Sequence, residues 1–123
     1  MHALVVDDSR AMRAILTRLL TDLGFDVAQA GHGQEALEVL DDGLRPEIAL
    51  VDWNMPVMDG LSFIKACRDR EEFRNITLMM VTTESEQSLI VRALAAGAHE
   101  YVIKPFTPEV IAEKLILLGL VPA

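Results

Sequence analysis

The residues of this chain that are able to do chemistry stand at the ends of short apolar runs. Asp52 closes the run Ile48-Ala49-Leu50-Val51, and Pro56 and Gly60 break regular structure just beyond it. Asp7 and Asp8 close Ala3–Val6, Thr82 follows Ile76–Val81, and Lys104 follows Tyr101-Val102-Ile103. A short apolar run bounded by turn residues reads as a strand buried on both faces, as in parallel sheets. Open parallel sheets bind their ligands outside the carboxyl ends of the strands. Three carboxylates, a hydroxyl and an ammonium are therefore expected on one rim.

Such a rim opposes folding unless a cation or protonation relieves it. Two carboxylates about 4 Å apart repel by roughly 1 kcal/mol in water and by roughly 4 kcal/mol at an effective dielectric near 20. Lys104 offsets part of this, and a hard divalent ion offsets more. Mg²⁺ takes oxygen ligands, uses one or two carboxylates and keeps water or phosphate oxygens as the rest. The residue types thus point to Mg²⁺-assisted phosphoryl chemistry, with one carboxylate as nucleophile and the cations stabilising the phosphoryl oxygens.

The elements that must position this rim follow from periodicity. After the strand Ala3–Val6, the residues Met12, Ile15, Leu16, Leu19 and Leu23 recur at helical spacing, with Asp8 or Ser9 as cap and Gly24 as stop. Phe25–Ala30 reads as a more polar strand nearer the sheet edge, and Gly33–Leu40 as a second helix. A third helix carries Leu61, Ile64 and Cys67 and leads into a charged connection, Arg68–Asn75. Ile76–Val81 is the fourth strand, and a helix over Leu89–Ala96 is capped near Ser85 and stopped by Gly97. Tyr101–Ile103 is the fifth strand, and Thr107 with Pro108 opens a last helix through Val110, Ile111, Leu115 and Leu118. Five strand–helix alternations predict a single α/β domain over residues 1–123, doubly wound around a five-stranded parallel sheet with five helices.

Composition narrows the function. The formal net charge is −8, from 19 acidic and 11 basic residues. That balance speaks against nucleic-acid binding, whose affinity rests on phosphate neutralisation by Lys and Arg. Cys67 is the only cysteine, read as a small buried hydrophobe in a reducing compartment. The apolar segments are too short for an export signal or a membrane span, so a cytoplasmic protein without membrane contact is expected.

The segments Leu4-Val5-Val6-Asp7-Asp8, Asp52-Trp53-Asn54-Met55-Pro56, Met58-Asp59-Gly60, Met80-Val81-Thr82 and Tyr101-Val102-Ile103-Lys104-Pro105-Phe106-Thr107 occur in register along the whole chain. In these the sequence resembles the response-regulator receiver domains of two-component systems, and among them the chemotaxis regulators of CheY type. The resemblance implies a flavodoxin-like strand order 2-1-3-4-5 and a cis Lys104-Pro105 peptide. It also implies that Asp52 accepts a phosphoryl group from a sensor histidine kinase. Mg²⁺ would be held by Asp8 directly, by Asp7 through water, by Asp52 and by the backbone carbonyl of Asn54. Lys104 would contact the phosphoryl group, Thr82 and Tyr101 would form the switch, and Asn54 and Glu84 would tune dephosphorylation.

On this reading the chain is a signalling phosphoacceptor and not an enzyme beyond its own phosphorylation and dephosphorylation. It is expected as a monomer without an output domain. Output would pass through the face of helix four, strand five and helix five to a partner such as the flagellar switch. Leu89, Ile90, Val91, Arg92, Tyr101, Lys114, Ile116 and Leu117 are assigned to that face. The alternative is a phosphorelay or phosphate-sink receiver docking on a kinase or histidine phosphotransfer protein. Glu84-Ser85-Glu86-Gln87 lacks the lysines that enteric regulators carry there, whereas Lys114 is retained. A haloacid-dehalogenase-type phosphatase would need a second acid two positions past the nucleophile, where this chain has Asn54. A scaffold without phosphoryl chemistry would have lost a site residue, yet Asp8, Asp52, Thr82 and Lys104 are all present.

Overall fold

A computed structural model describes residues 1–123. Five strands, β1 (His2–Val6), β2 (Asp26–Ala30), β3 (Ile48–Val51), β4 (Thr77–Thr82) and β5 (Glu100–Ile103), alternate with five helices. These are α1 (Arg10–Asp22), α2 (Gly33–Asp41), α3 (Gly60–Asp69), α4 (Gln87–Ala96) and α5 (Pro108–Leu117). All strand pairs are parallel, and the order is β2-β1-β3-β4-β5. The Lys104-Pro105 peptide is cis.

The continuous apolar runs are explained by burial on both faces. Alternate residues of one strand go to opposite cores. Leu4, Val6, Ala49, Val51, Leu78 and Met80 pack with Ala36, Leu40, Phe63, Ile64, Cys67 and Ala93 beneath α2, α3 and α4. Ala3, Val5, Ile48, Leu50, Met79 and Val81 pack with Leu16, Leu19, Leu20, Ile111 and Leu115 beneath α1 and α5. Cys67 is fully buried, and burial pushes its thiol up to about 12, so it packs as a hydrophobe. No helix is long and apolar enough to cross a membrane.

Several local expectations need correction. Ile15 is 53% exposed and lies off the buried stripe of α1, about 100° around the helix from Leu16. Of the two caps offered for α1, the structure uses Ser9, its Oγ accepting from the Met12 N–H at 3.2 Å. Helix α4 starts at Gln87 after Glu86, and Ser85 does not cap it; no side chain does. Thr107 flanks α5 in extended conformation, but its hydroxyl makes no capping bond. Strand β2 begins at Asp26, because the Phe25 N–H still bonds to the Leu20 carbonyl. Strand β4 runs one residue later than expected, which brings Thr82 into the sheet. The charged connection after α3 contains a turn of 3-10 helix, Glu71–Phe73, with Phe73 fully buried. The Arg70 and Arg45 guanidinium carbons lie 4.3 and 5.1 Å from its ring centre.

Helix α4 is the least anchored helix, with Ala93 as its only fully buried residue. The turn that follows is held from α3. Arg68 donates to the Gly97 carbonyl from Nε at 3.1 Å and Nη2 at 2.9 Å, and to Ile76 O at 3.1 Å. His99 Nδ1 accepts from the Leu78 N–H at 3.1 Å and lies 3.3 Å from Arg68 Nη2. An Nδ1 that accepts must be unprotonated. Burial, and then the Arg68 charge, hold the His99 pKa below its usual value. A lowered histidine pKa contributes stability that is complete above the unfolded value of about 6.5 and is lost as pH falls through the folded one. Thermal melts from pH 8 to 5 are therefore expected to show a fall below about pH 6.5, and His99→Asn, whose side-chain oxygen still accepts from Leu78, should flatten it.

Candidate functional site

The ladder itself brings Asp7 and Asp52 together. Val6 is in register with Val51, and past the strand ends the Asp52 N–H bonds to Val6 O at 2.9 Å and the Asp7 N–H to Ala30 O at 3.1 Å. Neighbouring strands lie about 4.8 Å apart, so the two carboxylates project from adjacent positions. Chain order reverses at this point: β1 leads outward to β2 on one side, while β3 lies on the other. The diverging connections leave a crevice at the carboxyl ends of β1 and β3.

Oxygens of Asp7, Asp8 and Asp52 lie within 4.8 Å of one another. Lys104 Nζ reaches in from the end of β5 and donates to Asp7 Oδ2 at 2.8 Å and Asp52 Oδ2 at 3.3 Å. Asp7 is buried, and its Oδ1 accepts from the Ser9 N–H at 2.8 Å. Arg13 holds the backbone at this corner, donating to the Asp7 carbonyl at 2.7 Å and to Gln29 Oε1 at 3.2 Å. Asp52 Oδ1 accepts from the Trp53 N–H at 2.7 Å, which leaves Oδ2 turned to the lysine and the crevice. Asp8 is exposed and alone among the three has no charge partner.

These residues fit a Mg²⁺ ion. Three carboxylates against one ammonium leave a formal charge of −2, the oxygens are within reach of one octahedral centre, and Asp8 has its ligand sites free. No backbone N–H donates to the Asn54 carbonyl, so it too is available. Asp7, already donated to twice, suits a contact through water.

The loop after Asp52 is shaped by two constraints. The Met58 N–H bonds to Pro56 O at 2.7 Å around Val57, whose φ of 67° is a γ-turn conformation unusual for a β-branched residue. Gly60 donates to Trp53 O at 2.9 Å, and a Cβ there would stand 2.0 Å from the Asp52 carbonyl oxygen. Only glycine lets α3 begin so close behind the acidic residue.

On the far side of the crevice Thr82 is fully buried, and its Oγ1 lies 3.4 Å from the Glu84 N–H. Asn54 Nδ2 donates to Glu84 Oε1 at 2.7 Å, and Tyr101 Oη donates to the Glu84 carbonyl at 2.6 Å. The tyrosine ring is buried, and burial first, then the Glu84 and Asp52 charges, push its pKa up. The expected residues thus all gather at this end of the sheet. Sequence reasoning had Ser9 only as a helix cap, not as a backbone donor to Asp7, and it missed Arg13 and the Gly60 contact. It also missed Leu94 on α4 and Ile103 on β5, exposed at 44% and 42% as the expected Val91, Ile116 and Leu117 are exposed. Lys114 pairs with Glu100 at 3.2 Å on that face.

A doubly wound sheet of this order, with an acidic trio and a lysine at its reversal point, defines the class of CheY-like α/β signalling domains. Within it, residues 3–116 match the Response regulator receiver domain, and the chain belongs to that family. It is 46% identical over 121 residues to the chemotaxis protein CheY1 of Helicobacter pylori, covering 97% of this chain and 98% of that one. To CheY of Pseudomonas aeruginosa it is 41% identical over 94% of this chain and 93% of that one. The crystal structure of Vibrio cholerae CheY4 superimposes with a TM-score of 0.87 at 34% identity, covering 94% and 96% of the two chains.

Repulsion at the rim sets two expectations. Asp8→Asn should raise stability by about 1 kcal/mol without divalent ions and abolish the further stabilisation that Mg²⁺ gives the parent chain, read by urea unfolding with and without MgCl₂. Gly60→Ala should cost on the order of 1–3 kcal/mol in the same assay, and weaken Mg²⁺ binding because Asp52 must shift.

Proposed function

We propose that this chain is a phosphorylation-activated switch of a two-component system, most directly of the chemotaxis type, with Asp52 as phosphoacceptor. The observation that carries the reading is the orientation of Asp52: Oδ1 is tied to the Trp53 N–H while Oδ2 faces Lys104 and the acidic crevice. Asp52 Oδ2 attacks the phosphorus of a phosphohistidine on a sensor kinase. The phosphorus–nitrogen bond breaks, and its electron pair stays on the imidazole. Asp8, Asp52 and the Asn54 carbonyl, with Asp7 through water, would hold a Mg²⁺ ion, which would supply positive charge for the phosphoryl oxygens. Lys104 moves its donor from Asp52 Oδ2 to the transferred group. Thr82 Oγ1 accepts at most a long bond from Glu84 N–H, so its proton is free to donate to a phosphoryl oxygen. The group thereby gains fixed partners in a site that already carries them, which is how preorganised charge accelerates transfer.

The chain is accordingly a signalling phosphoacceptor and not an enzyme with a free substrate. Output runs through the face of α4, β5 and α5, where Val91, Leu94, Ile103, Ile116 and Leu117 are exposed around the Lys114–Glu100 pair. Exposed apolar side chains rimmed by charge suit a protein partner. The flagellar switch is the partner that the resemblance to chemotaxis regulators implies, and binding to such a protein only with a phosphoryl mimic supports it. Binding to a kinase or phosphotransfer protein alone favours a relay.

The acceptor is tested with a small phosphodonor and Mg²⁺, followed through the fluorescence of Trp53, which adjoins Asp52. A Mg²⁺-dependent signal change is expected, lost in Asp52→Asn and strongly slowed in Lys104→Ala. A change that persists in Asp52→Asn would overturn the assignment.

A further inference from the structure

Asp8 stands between two peptide planes, and each plane is pinned by a hydrogen bond. The Asp7 carbonyl lies in the plane before it and accepts from Arg13 Nη1 at 2.7 Å. The Ser9 N–H lies in the plane after it and donates to Asp7 Oδ1 at 2.8 Å. A peptide unit is planar and includes the Cα atoms at both its ends, so the two bonds together fix the backbone torsions of Asp8. The direction in which its carboxylate leaves the chain is thereby set, although the side chain itself is exposed and has no charge partner.

Arg13 is well placed to hold this corner. It lies in the first turn of α1, where its own N–H bonds to the Ser9 carbonyl at 2.9 Å. Its Nε donates to Gln29 Oε1 on β2 at 3.2 Å, so one rigid guanidinium fork joins the end of β1 to α1 and to the neighbouring strand. The bond to the Asp7 carbonyl is short and charge-assisted. The carboxylates of Asp7 and Asp52 take their ion pairs from Lys104 instead, which leaves Arg13 on the backbone.

We propose that Arg13 is a positioning residue for the metal: by holding the Asp7 carbonyl it presents the Asp8 carboxylate where a Mg²⁺ ion requires it, and so favours Mg²⁺ over the larger Ca²⁺. The proposal rests on the reading that the acidic trio holds Mg²⁺ for phosphoryl transfer to Asp52. Mg²⁺ demands near-ideal octahedral geometry, whereas Ca²⁺ accepts varied angles and more ligands. A ligand whose backbone is fixed before the ion arrives gives up little freedom on binding, and one that the ion must itself order binds more weakly. Loss of the Arg13 bond therefore penalises the exacting ion more than the tolerant one. The charge of Arg13 works the other way, since a guanidinium beside the site repels any dication. Positioning and charge thus make opposite predictions for the same substitution.

The test is thermal unfolding of the full chain at increasing MgCl₂ or CaCl₂. The midpoint without metal reports the fold, and its rise with metal reports the affinity. Arg13→Met keeps an unbranched stem and removes the guanidinium. It is expected to weaken Mg²⁺ binding by about five- to thirtyfold, the span that ordering one residue of backbone is worth, and Ca²⁺ binding by less. Gln29→Ala leaves the charge in place but frees Nε, and should weaken Mg²⁺ binding in the same direction by a smaller factor. General loosening would lower the metal-free midpoint and leave the ratio of the two affinities as it was. Mg²⁺ binding that is unchanged or tighter in Arg13→Met, or a loss equal for the two ions, would overturn the proposal and leave Asp52 as acceptor untouched. A parent chain whose midpoint rises with neither ion would overturn the metal site itself.

Discussion

Everything at the working end of this domain depends on one ammonium group shared between two carboxylates. Lys104 Nζ is 2.8 Å from Asp7 and 3.3 Å from Asp52, and all three side chains are at most 12% exposed. Folding brings Asp7, Asp8 and Asp52 within 4.8 Å of one another, with only the exposed Asp8 open to screening by water. The lysine neutralises enough of it for the rim to form, and leaves a net negative charge that a divalent cation can answer. It also spans the sheet, because it arrives from β5 while its partners end β1 and β3. The pair is therefore both an electrostatic compromise and a tie across three strands.

The sheet was legible in the sequence for a simple reason. A strand covered on both faces has no polar side, so Leu4-Val5-Val6, Ile48–Val51 and Leu78–Val81 stand out as unbroken apolar runs. The carboxylates stood out because they end those runs. The resemblance in register supplied the strand order, which the sheet has, and the residue roles as expectations. What stayed hidden depended on geometry that no local pattern encodes. Ile15 looked like part of the buried stripe of α1, yet a rotation of about 100° carries it to the surface. Ser85 looked like a cap, yet α4 starts two residues later. The α2 cap is a histidine ring, with His32 Nδ1 accepting from the Glu35 N–H at 3.2 Å, an unusual choice where serine, threonine, aspartate and asparagine lead.

The bonds of Glu84 are a second case. Its partners Asn54 and Tyr101 are 30 and 17 positions away, so nothing in the adjacent sequence marks it as a junction. Gly60 shows the opposite situation. The Asp59-Gly60 pair was visible as a turn, but its real constraint is an oxygen of Asp52 where a side chain would begin. A residue can thus be conspicuous for one reason and indispensable for another.

The slight anchorage of α4 has a thermodynamic meaning for signalling. Ala93 is its only fully buried residue, and Leu89, Ile90 and Ala96 pack only partly against the same core, so α4 is seated by less apolar burial than its neighbours. Elements with few fully buried contacts open locally at a lower free energy than those seated by buried leucine and phenylalanine. On the proposed reading, a phosphoryl group on Asp52 would have little mechanical work to do, because the helix it has to shift is so lightly seated.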